Sequence, residues 1–145
     1  MISLKRIFCT CCLLLSVWAV FAQGPSEWKA LEKPLNFYLA NDLGRNGYYD
    51  QKPIAELMGQ MAENVDIEAV VAAGDVHHFE GVRSVNDPLW MTNYELVYSH
   101  PELMIPWYPI LGNHEYRGNT QAVLDYSQVS ARWEMPVLHK GAGER

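Results

Sequence analysis

Past residue 12 the sequence contains no cysteine; Cys9, Cys11 and Cys12 all lie in the opening segment. That removes a disulfide framework and a thiolate metal site from everything downstream. Positive charge is also scarce, with eleven Lys and Arg against seventeen Asp and Glu and a net charge of −6. A protein that neutralises a phosphate backbone needs a cationic surface, so nucleic-acid binding by charge is disfavoured. Neither an internal repeat nor a low-complexity tract is present. The glycines of "NDLGRNG" lack the spacing of a dinucleotide loop, which argues against a Rossmann-type nucleotide binder.

The longest apolar run is Ile7 to Ala22. Lys5 and Arg6 precede it, and Val20 and Ala22 occupy the −3 and −1 positions before Gln23. This is the grammar of a secretory signal, assigned to residues 1–22 and cleaved after Ala22. An uncleaved anchor is the alternative, but the run falls short of the roughly 20 residues of a spanning helix. A lipoprotein is disfavoured because no small-residue pair precedes a cysteine. The expected product is secreted or periplasmic, without a stable membrane anchor. Loss of Lys5 and Arg6 leaves nine cationic residues against seventeen acidic ones in residues 23–145, a net charge of −8.

Three strand-then-helix units follow. "LNFYLA" (Leu35 to Ala40) is short, apolar and aromatic. "AVVAA" (Ala69 to Ala73) has no polar alternation, as in a strand covered on both faces. "PWYPIL" (Pro106 to Leu111) has two prolines, which push it toward a sheet edge or an early strand position. Between them, Ile54, Leu57, Met58, Met61, Ala62 and Val65 follow helical spacing from Pro53, a residue suited to a first helical turn. Asp87-Pro88 reads as N-cap and first residue of a helix that turns Leu89, Trp90, Tyr94, Val97 and Tyr98 toward a core. A third helix is expected over Thr120 to Trp133. This alternation predicts an α/β fold with a mostly parallel sheet and flanking helices, built from βαβαβ units.

Each predicted strand runs into a polar cluster: Asn41, Asp42 and Gly44; Gly74, Asp75, His77 and His78; Gly112, Asn113, His114 and Glu115. Ligands of open α/β sheets bind beyond the carboxyl ends of the strands. One rim would therefore hold oxygen and nitrogen donors suited to hard or borderline divalent and trivalent metals. Singly, each cluster is also an ordinary turn in which an Asp bonds its own backbone. Their order and placement together point to metal chemistry.

"NDLG", "GDVHHFEGV" and "PWYPILGNHEYRGN" resemble, in order and spacing, the opening motifs of calcineurin-like metallophosphoesterases. They are most similar to those of the purple (tartrate-resistant) acid phosphatases. There the stretches read GD-x-G, GDNFY-x-x-GV and PWY-x-x-x-GNHD-x-x-GN. The resemblance extends from Asn36 to Pro136 and implies the N-terminal part of the family's α/β sandwich over 23–145. It implies two ions (Fe, Zn or Mn) about 3.5–4 Å apart that activate a water against a phosphate monoester, from a small molecule or a phosphoprotein. Asp42 would bind the first ion, Asp75 would bridge both, and Asn113 would bind the second. Asn113 and His114 would contact substrate, His114 touching the phosphoryl oxygens or protonating the leaving group, with Glu115 as a possible orienting group.

Two departures qualify that implication. His78 stands where purple phosphatases carry the tyrosine that binds ferric iron. An imidazole there suits Zn²⁺, Fe²⁺ or Mn²⁺ better, and the alternative is a histidine that only packs or hydrogen-bonds at the rim. His77 is expected to point away, and His100 and His139 to be surface or loop residues. The family's later Gly-His and Gly-His-x-His ligands have no counterpart, and the family domain is about twice as long. The expectation is an N-terminal half that is weakly active or inactive alone and exposes the face meant for its missing partner sheet. The rival is a non-catalytic fragment or binding module.

Overall fold

A computed structural model describes residues 35–135. The leader assigned to 1–22 and His139 lie outside the described residues. Three strands, β1 (Phe37–Ala40), β2 (Ala69–Ala72) and β3 (Trp107–Pro109), form one parallel sheet in the order β1-β2-β3. Parallel neighbours need a long crossover. The first is α1 (Gln51–Ala62); the second is a widened helical segment, Met91–Glu95, with a short turn at Pro101–Leu103. After β3 come a turn at Glu115–Arg117, α2 (Thr120–Asp125) and a last turn at Tyr126–Gln128. The α/β expectation holds. β1 and β3 are the edges of this sheet, and among the described residues the β3 flank is extended only by a parallel bridge from Trp107 to Trp133.

Register sorts the side chains into two faces. Tyr38, Val70 and Trp107 are paired across the sheet, as are Ala40, Ala72 and Pro109. Val70, Ala72 and Trp107 in these rows are fully buried. On the opposite face Leu39, Val71 and Tyr108 are aligned, with Leu39 69% and Tyr108 46% exposed. This corrects the expectation that β2 is covered on both faces. Its unbroken apolar run makes both faces apolar, but the described residues cover one.

The core on the buried face is aromatic. Trp90 stacks flat on Tyr126 at 3.5 Å and meets Trp133 edge-on at 5.1 Å, and Tyr94 packs edge-on against Trp107 and Trp133. Each indole nitrogen donates to a carbonyl: Trp90 to Ser84, Trp107 to Leu103, Trp133 to Val123. Buried Arg132 lies over the Tyr94 ring at 4.2 Å and pairs with Glu95 at 2.9 Å. Asp87 caps the second helical region as expected, accepting the N–H of Leu89, and Trp90, Tyr94, Val97 and Tyr98 turn inward.

Two helices depart from expectation. α1 buries Gln51, Ala55, Gly59 and Ala62, while Ile54 and Leu57 are more than half exposed. Met58, Ala62 and Val65 turn to the core as expected, and at Gly59 the His100 side chain leaves no room for anything larger. A Cβ on Gly59 would lie 2.1 Å from the His100 ring. Thus His100 is no free surface residue: it also caps the Pro101 turn and approaches Glu63 at 3.5 Å. The helix expected over Thr120 to Trp133 breaks at Asp125, and Trp133 pairs beside β3 instead.

Candidate metal centre

The rim begins where β1 ends. Asp42 adopts the left-handed region (φ 55°), and its N–H donates to Gly74 O at 3.2 Å. Asp75, at the end of β2, repeats this conformation (φ 54°) after Gly74 (φ 97°). Asp tolerates that region better than most residues, at a cost of about 1 kcal/mol. Gly44 is required by contact: a Cβ there would lie 2.1 Å from Val76 O. The loop between Asp42 and α1 is held by buried Gln51. Its Oε1 accepts the N–H groups of Arg45 (3.0 Å) and Gly47 (2.6 Å), and its amide nitrogen donates to the carbonyls of Leu43 and Asn93.

Asp75, His78 and His114 each offer a ligand atom, and these atoms all lie within 4.8 Å of one another. Nε2 of His78 is 3.3 Å from Oδ1 of Asp42. Two donors about 2.1 Å from one ion in tetrahedral arrangement are about 3.4 Å apart, so this spacing suits a shared cation. His78 is buried, and its Nδ1 has no hydrogen-bond partner. Burial first, then the positive charge of Arg45 and of His114 when protonated, holds its imidazole below the ordinary range, against the pull of Asp42 and Asp75. A neutral ring is the form that binds metal. Asn113 is exposed in the turn that carries His114.

The β2 and β3 turns exchange hydrogen bonds. The His114 N–H donates to Asp75 Oδ1 at 2.9 Å. Glu115 is 2% exposed and accepts three backbone N–H groups: Asp75 (2.9 Å) and Gly112 (2.8 Å) on Oε2, His77 (3.0 Å) on Oε1. This corrects the expectation that Glu115 orients the His114 ring. That ring is instead set by the Phe79 carbonyl, 2.6 Å from Nδ1, which Arg117 also approaches at 3.4 Å. A hydrogen bond there requires Nδ1–H, so in the neutral ring the free lone pair is on Nε2. Beside His78 a groove of about 590 Å³ continues past Phe79 and Arg83 to Leu89.

His77 points away from the rim, as expected. It is fully buried edge-on against Trp90 at 4.4 Å, with Nδ1 3.3 Å from the Asn93 amide. Burial holds its pKa far down, at about 3, against the opposing pull of Asp87. Sequence reasoning missed Gln51 and Asn93 as supports of the rim. The signal for Gln51 was a polar residue on the inward side of a helix; Asn93 offered none.

Parallel strands whose tips gather carboxylates and imidazoles define an α/β architecture with a candidate metal-binding rim. The chain belongs to the calcineurin-like phosphoesterase family, whose model matches residues 35–141. It is 34% identical over 141 residues to purple acid phosphatase 7 of Arabidopsis thaliana, covering 90% of this chain and 43% of that protein. It is 36% identical over 81 residues to human tartrate-resistant acid phosphatase type 5, covering 53% and 25%. A solved structure of GAP50, titled the anchor in the inner membrane complex of Plasmodium, matches with a TM-score of 0.57. It is 30% identical over 62% of this chain and 29% of that one. The chain spans less than half the length of these curated relatives. The family uses a binuclear metal centre, and the clustered side chains form a group that could hold part of one.

Proposed function

We propose that this chain supplies the N-terminal share of a secreted, metal-dependent phosphoesterase site of the acid-phosphatase type. Its substrates are phosphate monoesters, of a small molecule or a phosphoprotein. The observation that carries the reading is the convergence of Asp75, His78 and His114, with the Asp42 carboxylate 3.3 Å from His78. Asp42, Asp75, His78 and Asn113 would hold the ions, Fe, Zn or Mn, with Asp75 shared. When bound, such ions polarise phosphate oxygens and activate water. His78 in place of tyrosine favours Zn²⁺, Fe²⁺ or Mn²⁺ over ferric iron. His114, its Nδ1 set by the Phe79 carbonyl, presents Nε2 to the substrate and, when protonated, gives that proton to the leaving alkoxide. Asn113, in the same turn, orients the phosphoryl group. Secretion follows from the leader assigned to residues 1–22.

Metal analysis and calorimetric titration of the purified chain test the reading. Zn²⁺ or Mn²⁺ bound by the parent and lost in Asp75→Asn supports it; a parent that retains no metal overturns it. A second reading, a non-catalytic member of the family, is favoured by the GAP50 likeness, since that protein is described as an anchor. Metal uptake with no turnover of p-nitrophenyl phosphate, even when the rest of the domain is supplied, would select it.

A further inference from the structure

We infer that Glu115 is a positioning residue that sets the affinity of the centre for its ions, by fixing the separation of the two ligand-bearing turns from behind. The inference rests on the metal-centre reading above. Glu115 belongs to the β3 turn, yet two of its three hydrogen bonds reach across to the β2 turn, at Asp75 and His77; the third closes on Gly112 of its own turn. The return bond, His114 N–H to Asp75 Oδ1, makes the contact reciprocal. Asp75 is thus gripped at both ends: its N–H is fixed by Glu115 and its carboxylate by His114.

The fit leaves no slack. A Cβ on Gly112 would lie 2.2 Å from Asp75 Oδ1, and one on Gly81 2.9 Å from His114 O. A carboxylate 2% exposed is tolerated because three N–H groups converge on it. A plain brace needs acceptors but no charge. The charge adds a buried negative field behind Asp75, which favours a cation in front of it. Partners that orient ligands from outside typically govern about 10–100-fold in metal affinity.

The test titrates the chain with Zn²⁺ by calorimetry and with Co²⁺ by its visible spectrum. Expected for Glu115→Gln is an affinity about 10–100-fold weaker and an altered Co²⁺ spectrum, with the metal-free circular dichroism unchanged. Parent-like affinity and spectrum in Glu115→Gln, with only a lowered Tm, would reduce Glu115 to a structural brace and sink the inference alone. A parent chain that binds neither ion would remove the metal-centre reading and this inference with it. Should Glu115→Gln fail to fold, amide exchange in the parent decides. The N–H groups of Asp75, His77 and Gly112 should exchange far more slowly than that of exposed Asn113, and equal rates would overturn the assignment.

Discussion

His77 and His78 are adjacent in sequence and opposite in role. His77 lies in the aromatic core, edge-on to Trp90, neutral and tied to Asn93. His78 turns to the rim, where its ring is 4.1 Å from that of His114 and its Nε2 faces Asp42. The same contrast separates the regions they belong to. The core is closed by stacked rings and an Arg132 that pairs with Glu95 and bonds the carbonyls of Tyr98 and Leu103. The rim carries two left-handed aspartates and an unpartnered imidazole nitrogen. Backbone strain gathers where ligands are to be held, and the packed half beneath makes it tolerable. Unmet bonding capacity does not, since His77 Nε2, Tyr94 Oη and Arg132 Nε of the core are also without a hydrogen-bond partner.

That division predicts that stability and metal binding can be damaged separately. Trp90→Ala, at the junction of Tyr126 and Trp133, should cost about 3–5 kcal/mol of unfolding free energy. Urea titration measures the loss, and the fraction that stays folded should bind Zn²⁺ as the parent does. Asp75→Asn should do the reverse. Asn accepts the left-handed conformation and keeps an oxygen for the His114 N–H, so unfolding should shift by less than about 1 kcal/mol. Metal affinity should fall at least about 100-fold, equivalent to about 2.7 kcal/mol. Parallel losses of both properties in either variant would break the comparison.

How far the sequence went depended on whether the deciding contact was local. The strands, the strand-tip clusters and the inward His77 were readable because periodicity and spacing encode them. The face of α1 was legible in part: Met58, Ala62 and Val65 turn to the core, whereas Ile54 and Leu57, which the apolar count also favoured, are exposed. The approach of His100 to Gly59 is a contact no local pattern encodes. Glu115 was misassigned for a similar reason, since two of its donors, Asp75 and His77, are 40 and 38 residues away. Nor does any local pattern foretell that the helix from Thr120 stops at Asp125 so that Trp133 can bridge to Trp107.

A smaller effect sharpens the core side of the contrast. Burial raises the Tyr98 phenol from its usual 10 to about 12, and Tyr94 and Tyr126 are raised as well. Each stays neutral in the fold while the unfolded chain ionises above pH 10. The stability that each contributes is therefore whole below pH 10 and declines as pH rises toward the folded value, at about 1.4 kcal/mol per unit per tyrosine. Tyr98→Phe, which also forfeits the bond to Leu43 O, should flatten the alkaline slope by one tyrosine's share. Denaturant midpoints between pH 9 and 11 measure it; an unchanged slope would mean that Tyr98 ionises freely.

The smallest effect belongs to the other face of the sheet. Leu39 is 69% exposed and Phe37 51%. An exposed leucine contributes little to folding, so Leu39→Lys should move stability by no more than about 0.5 kcal/mol. Self-association should drop, because the charge interrupts an apolar surface that otherwise seeks a partner. Light scattering and thermal melts separate the two readouts. A loss above about 1 kcal/mol would place Leu39 under cover, making the sheet two-sided in this chain, as the unbroken apolar run of β2 had suggested.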